Sequence, residues 1–117
     1  MHIETKEHGE VALVSLEGRF DASVADSFKA AINGLLAQGS QHYVINFADV
    51  AYIDSAGLGS LVASTRRVRE NNGDIKIAEL SAKLRSIFNL TRLNRLFEVY
   101  DERLVAVSSF AQVSSEV

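Results

Sequence analysis

Asp54-Ser55-Ala56-Gly57-Leu58-Gly59 gathers residue types that can do chemistry: an acid, a serine, and two glycines in apolar surroundings. Three arrangements use such a stretch. It can be a nucleophile elbow, a phosphate cradle, or a helix start that exposes one hydroxyl. An elbow reads G-x-S-x-G; Gly57 fits its last position, but Ile53 fills its first. A triad also needs a histidine, and His2, His8 and His42 all precede Ser55, against hydrolase order. Other chain orders exist in unrelated triads, yet these three histidines read as ordinary surface residues. The dinucleotide pattern G-x-G-x-x-G is met at Gly57 and Gly59 and fails at Val62. The G-K-[ST] triplet of a Walker loop occurs nowhere in the chain.

Asp21 and Asp54 are the candidate carboxylate pair. Each closes a strand-like run and opens a helix-like one, so in an open α/β sheet both fall at one sheet edge, near Ser55. Two independent helix caps explain the same residues without catalysis, because aspartate at a helix start satisfies free N–H groups and complements the dipole. What remains is a capped helix with Ser55 in its first turn, its hydroxyl exposed, and Ala56, Gly57 and Gly59 too small to hide it. A phosphate there would add nearly two negative charges beside Asp54 and Asp21.

The elements that must position these residues follow from periodicity. Residues 2–7 read as an edge strand, and Glu7-His8-Gly9-Glu10 as the turn of a hairpin. VALVSLEG, 11–18, is apolar on both parities, as in a strand covered on both faces. Asp21, with Ser23 as its rival, is the expected cap of a helix carrying Val24, Phe28, Ile32, Leu35 and Leu36 and ending at Gly39. HYVINF, 42–47, reads as a buried strand in which Asn46 needs a partner. Leu58, Leu61, Val62, Thr65 and Val68 form the apolar stripe of a second helix, closed by Asn71-Asn72-Gly73. A strand over 74–79, a third helix capped by Ser81, a short strand over 97–100 and a C-terminal helix from Glu102 that frays into VSSEV complete the chain. The order β-β-α-β-α-β-α-β-α predicts an α/β domain with a mixed sheet of four to five strands and about four helices.

Bulk properties narrow the function. The chain has 117 residues, the size of one domain, expected here as a single unit over 1–117 with its core at about 3–110. Its net charge of −3 lacks the basic excess of a general nucleic-acid surface. Arg66, Arg67, Arg69, Lys83, Arg85, Arg92 and Arg95 read as solvated helix faces. There is no cysteine, which excludes disulfides and thiolate metal sites. The polar start, MHIETKEHGE, has no signal-peptide core, and no apolar run nears the roughly 20 residues that span a bilayer. A cytoplasmic protein without direct membrane insertion is expected.

With these residues in place, Asp54-Ser55-Ala56-Gly57-Leu58-Gly59, after an apolar strand and before an amphipathic helix, resembles the signature of STAS domains. The chain looks most like the stand-alone anti-sigma factor antagonists, and Gly18-Arg19-Phe20-Asp21 resembles the family's turn before its first long helix. The resemblance implies partner switching. An unmodified antagonist binds an anti-sigma factor that is also a GHKL-type serine kinase; the kinase phosphorylates the motif serine, here Ser55; a PP2C-type phosphatase reverses this. On this reading the chain is no enzyme and holds no cofactor or metal, and ATP belongs to the kinase. The partner face is expected to hold Asp21, Asp54, Ala56, Gly57, Gly59, Ser60, Ala63 and Ser64, with Ala56, Ser60, Ala63 and Ser64 exposed and Leu58, Leu61 and Val62 in the core. Ala56 stands where many relatives have a second hydroxyl residue, and Thr91-Arg92-Leu93-Asn94 where they often carry Ser-Gly-Leu. The resemblance leaves two alternatives: an adaptor subunit of a lipid-transport ABC permease, and a nucleotide-binding STAS domain.

Overall fold

The computed structural model describes residues 1–114, with side chains to residue 111. Its order is β1 (His2–His8), β2 (Val11–Phe20), α1 (Ala25–Ala37), β3 (His42–Ile53), α2 (Ser55–Glu70), β4 (Asp74–Ala78), α3 (Ala82–Leu90), a 3-10 turn (Leu93–Arg95), β5 (Val99–Tyr100) and α4 (Arg103–Ser114). The strands form one five-stranded sheet in the order β1-β2-β3-β4-β5. β1 and β2 are an antiparallel hairpin, turned at Gly9 with φ +62°, and the remaining neighbours are parallel. The expected α/β fold with a mixed sheet is therefore the one found. The tail expected to fray lies outside the described residues from Ser115 onward.

The double parity of β2 has the expected cause: each face meets a different helix layer. Ala12, Val14 and Leu16 join Phe28 and Ile32 of α1, Leu61 and Val68 of α2, and Leu84 and Phe88 of α3 in the larger core. Val11 and Leu13 point the other way, to Ala106 and Phe110 of α4. Phe20, Phe28, Phe47, Phe88 and Phe97 form a chain of ring contacts 5.0–6.1 Å apart through the larger core. Lys76 on β4 is buried under α4. Its ammonium donates to the Ser109 hydroxyl at 2.7 Å and lies 4.2 Å from the Phe110 ring centre. Such a buried cation is tolerated because a hydrogen bond and a ring face replace part of its hydration.

Two expectations on elements need correction. β3 does not stop at Phe47 but runs to Ile53. Its register against β2 slips between Ser15 and Glu17 and again between Gly18 and Arg19, so bulges interrupt the alternation by which a strand is recognised. Asn46 finds its partners at the first slip: its amide donates to the Ser15 hydroxyl (3.1 Å) and its oxygen accepts from the Ala48 N–H (3.0 Å). The cap of α1 also differs. Val24 holds the N-cap position with no side-chain bond, because Asp21 lies one turn earlier and closes its own turn there.

Candidate functional site

β2 and β3 continue past the last rung of β4. The rungs Gly18↔Val50, Arg19↔Tyr52 and Phe20↔Ile53 lie beyond Asn46↔Ala78, where β4 ends. The Arg19 guanidinium lies 4.0 Å from the Tyr52 ring centre on this two-strand extension. From its tip the chain turns at Asp54 directly into α2. Ser55 therefore sits at the carboxyl edge of parallel strands, where ligand-facing loops of α/β folds collect.

Asp54 holds this corner together. Its backbone is extended, and its N–H donates to the Phe20 carbonyl at 3.3 Å. One carboxylate oxygen accepts from the Gly57 N–H at 2.9 Å, capping α2; the other accepts from the Ala22 N–H at 3.2 Å. Both oxygens are thus engaged by backbone donors of two different segments. Asp21 is its neighbour in space, as expected, but serves its own loop: it accepts from the Ser23 hydroxyl (2.6 Å) and N–H (3.0 Å), with Arg19 at 3.4 Å. The Ser23 hydroxyl is the main reason the Asp21 carboxyl sits below its ordinary value of 3.8, with burial opposing. It is therefore ionised at neutral pH. These engagements give both acids a structural task, and no histidine is among their hydrogen-bond partners in the described residues.

Ser55 is exposed, and its hydroxyl makes no hydrogen bond among the described residues. The two glycines beside it have unlike reasons. A Cβ on Gly57 would run into the Phe20 carbonyl oxygen and come within 3.2 Å of an Ile53 side-chain carbon, so this glycine lets α2 press onto the strand ends. It is buried, not a surface clearance. Gly59 is exposed and has open space where a Cβ would stand, as the clearance reading requires.

The helix is rotated from the expected orientation. Ser60 and Ser64, expected on the exposed face, are buried at 4% and 3% exposure, while Leu58 and Val62, expected in the core, are half-exposed. Two features set this rotation: Gly57 faces the strands, and residues at 57, 60, 61, 64, 65 and 68 then fall inward together at helical spacing. Ser60 tolerates burial because its hydroxyl donates to the Gly57 carbonyl at 2.7 Å, and Thr65 does the same toward Leu61 at 2.8 Å. The exposed stripe is instead Ser55, Gly59, Ala63, Arg66, Arg67 and Glu70, with Ala56 half-exposed beside it.

Arg66 and Arg67 were legible as solvated but not as neighbours of the serine face. Eleven residues at 100° per residue bring Arg66 within about 20° of Ser55, three turns along the helix. Counting the wheel from Ser55 rather than from the apolar residues would have found them. Arg69, also exposed, differs in being engaged: it pairs with Asp74 at 2.9 Å and donates to the Leu96 carbonyl at 2.7 Å. The histidine reading holds for His2 and needs change for His42, which is half-buried and stacked on Phe110 at 4.8 Å. Among the described residues no group of three or more histidine, aspartate or glutamate side chains could hold a metal ion. No helix among them is long and apolar enough to cross a membrane.

Known proteins share this architecture. An anti-sigma-B factor antagonist from Staphylococcus epidermidis is 26% identical over 99 residues, covering 85% of this chain and 92% of the relative. The crystal structure of a putative anti-sigma factor antagonist from Thermotoga maritima superposes with a TM-score of 0.86 at 22% identity, covering 92% of each chain. The Bacillus cell fate determinant SpoIIAA, in its phosphorylated form, superposes with a TM-score of 0.75 at 19% identity, covering 93% of this chain and 99% of that one. A family model described as "Mlab, STAS domain" matches residues 3–105, and with the signature corner and the sheet order both in place, the chain belongs to the STAS domain family.

Proposed function

We propose that this chain is an anti-sigma factor antagonist that works by partner switching, with Ser55 as the phosphorylated residue. The carrying observation is the corner itself: an exposed, unbonded hydroxyl at the first position of α2, beside a helix cap that does not depend on it. Relatives named as antagonists of anti-sigma factors support the partner class, and the phosphorylated form of a similar fold supports modification as the switch. In this reading the unmodified chain binds an anti-sigma factor that is also a GHKL-type serine kinase. The kinase supplies ATP and transfers its terminal phosphoryl group to the Ser55 oxygen. A PP2C-type phosphatase removes it.

The physical basis of release is charge in a desolvated contact. Phosphate brings about −2 beside Asp54 and the ionised Asp21. A net penalty of ~3 kcal/mol weakens a complex about a hundredfold. Ser55→Ala should bind the purified kinase continuously in the presence of ATP, and Ser55→Asp should bind poorly. Equal affinities for the two variants, or phosphate mapped to another residue, would end this reading.

A second reading follows from the matching family model, whose description does not name an antagonist. The domain would then be the adaptor subunit of a lipid-transport ABC permease. Co-purification with a permease, in place of phosphorylation by the kinase, selects it.

A further inference from the structure

Arg66 and Arg67 form no ion pair among the described residues. Other helix arginines are engaged: Arg69 by Asp74, Arg85 by Asp101 and Arg103 by Glu79, at 2.9, 2.9 and 2.7 Å. Lys83, Arg92 and Arg95 form no ion pair among the described residues either, but they lie on α3 and the turn after it. The two α2 arginines edge a hollow of about 250 Å³ between α1 and α2, whose lining includes Lys29, Asn33, Ala63 and Glu70. Three cations therefore face one anion there, in a chain whose net charge is −3. Lys29 is held only from outside the hollow, by the exposed Asp26 at 3.5 Å. Arg66 also edges a second hollow of about 370 Å³, lined by the apolar surfaces of Val62 and Leu96.

We infer that this cationic hollow is the far half of the partner-binding face, and that it receives an acidic segment of the anti-sigma factor. The inference rests on the antagonist reading above and adds the chemistry of the contact. Ser55 and Arg66 share one exposed stripe, separated along the helix axis by about 16 Å. A standard interface covers about 800 Å² per partner, a patch roughly 30 Å wide, so one partner spans both ends. The stripe is acidic at its start, where Asp21 and Asp54 lie, and basic at its end. Such a gradient fixes orientation and speeds association with a partner of the opposite gradient. An acidic segment gains two unpaired guanidinium groups, each able to take a carboxylate in a bidentate fork.

The test is the affinity of the full chain for a purified GHKL-type anti-sigma factor kinase, by calorimetry at low and high salt. Arg66→Glu/Arg67→Glu should weaken binding about tenfold or more at 0.05 M salt, and the deficit should shrink at 0.5 M. Arg66→Lys/Arg67→Lys keeps the charge but loses the fork, so it should weaken binding less than charge reversal does. Both side chains are exposed, so charge reversal near the end of α2 beside Glu70 should lower the melting temperature by only a few degrees, and a single cooperative transition reports intact folding. Charge reversal that leaves affinity within about twofold, while Ser55→Asp still abolishes binding, overturns the basic contact and leaves the antagonist reading standing. Loss on charge reversal with Ser55→Asp binding normally keeps the surface and removes the switch. A wild-type chain that does not bind the kinase removes both.

Discussion

Gly57→Ala and Gly59→Ala differ by two positions on one helix and should act in opposite directions. At Gly57 the added methyl meets the Phe20 carbonyl oxygen inside contact distance, with the Phe20 carbonyl carbon at 3.0 Å and Ile53 at 3.2 Å. The first two are backbone atoms in a ladder rung, so neither can swing away. Such overpacking costs roughly 1–3 kcal/mol. Alanine returns up to ~1 kcal/mol of helix propensity, less in a first turn, leaving a net loss of roughly 1–2 kcal/mol. At Gly59 nothing lies within 4 Å of the new methyl, so only the propensity gain remains, up to ~1 kcal/mol. The two variants should therefore stand about 2 kcal/mol apart in urea unfolding followed by far-ultraviolet circular dichroism, or about 6–8 °C in melting temperature. Gly57→Ala also lifts the start of α2 from the strands and should disturb kinase binding more than its stability loss implies. If Gly57→Ala proves as stable as Gly59→Ala, the close approach of α2 to Phe20 is not what holds this corner, and the burial argument for Gly57 fails.

Asp54→Ala removes the α2 cap and the tie to Ala22 together, and should cost about 2 kcal/mol in the same unfolding assay. Asp54→Asn keeps an oxygen acceptor and should recover at least half of that; a neutral Asp54→Ala would refute the bracing role. Glu79 gives a pH signature. Hydrogen bonds from Arg103 at 2.7, 2.8 and 3.0 Å hold its carboxyl below the ordinary 4.5 in the folded chain. Its stabilisation is therefore full above about pH 4.5 and lost as pH falls through the lower folded value. Wild type should lose stability more steeply than Glu79→Gln across that acid window, and parallel pH profiles would show that the Arg103 contact does not stabilise α4.

The sequence was most informative where one periodicity dominated. The two-parity run of β2 predicted a strand covered on both faces, and helices cover both. The signature corner was legible because a cap, a serine and small residues are all local features. Failures came where tertiary contacts overrode local pattern. Ser60 and Ser64 look solvent-facing by residue type, yet the rotation that turns Gly57 to the strands also turns them inward, where their small side chains are buried. The second half of β3 was hidden by Ala48 and Asp49, two exposed residues next to a bulge. Arg92 stands out in the sequence only as a departure from relatives with glycine nearby. It adopts φ +62°, a conformation that glycine takes without strain. No local signal marks an arginine for that conformation. Lys76 alternates correctly with Ile75 and Ile77 but is enclosed by α4, which only the fold brings across.

On the proposed antagonist reading, separation of brace from signal suits this corner to switching. On the same helix, phosphate on Ser60 would displace its bond to the Gly57 carbonyl and force α2 off its neighbours. Ser23, also near Asp54, has its hydroxyl committed to Asp21 at 2.6 Å. Ser55 has no such commitment, while the adjacent Asp54 carries the cap and the loop tie. A charge placed on Ser55 therefore alters the surface and leaves the fold intact. Nor do the cations of α2 cancel it. Arg66 begins about 16 Å away along the helix, beyond the Debye length of about 8 Å at physiological salt, and Arg19, the cation at the corner, is already paired with Asp21 at 3.4 Å. The new negative charge consequently stays concentrated at the acidic end of the stripe. A partner that docks with its cationic groups there in the unmodified complex can still be attracted at long range. What it loses is the close, desolvated fit around the hydroxyl, so phosphorylation should raise the dissociation rate far more than it lowers the association rate. Stopped-flow binding of the phosphorylated chain checks this; a change confined to association would show that long-range repulsion, not the lost fit, drives release.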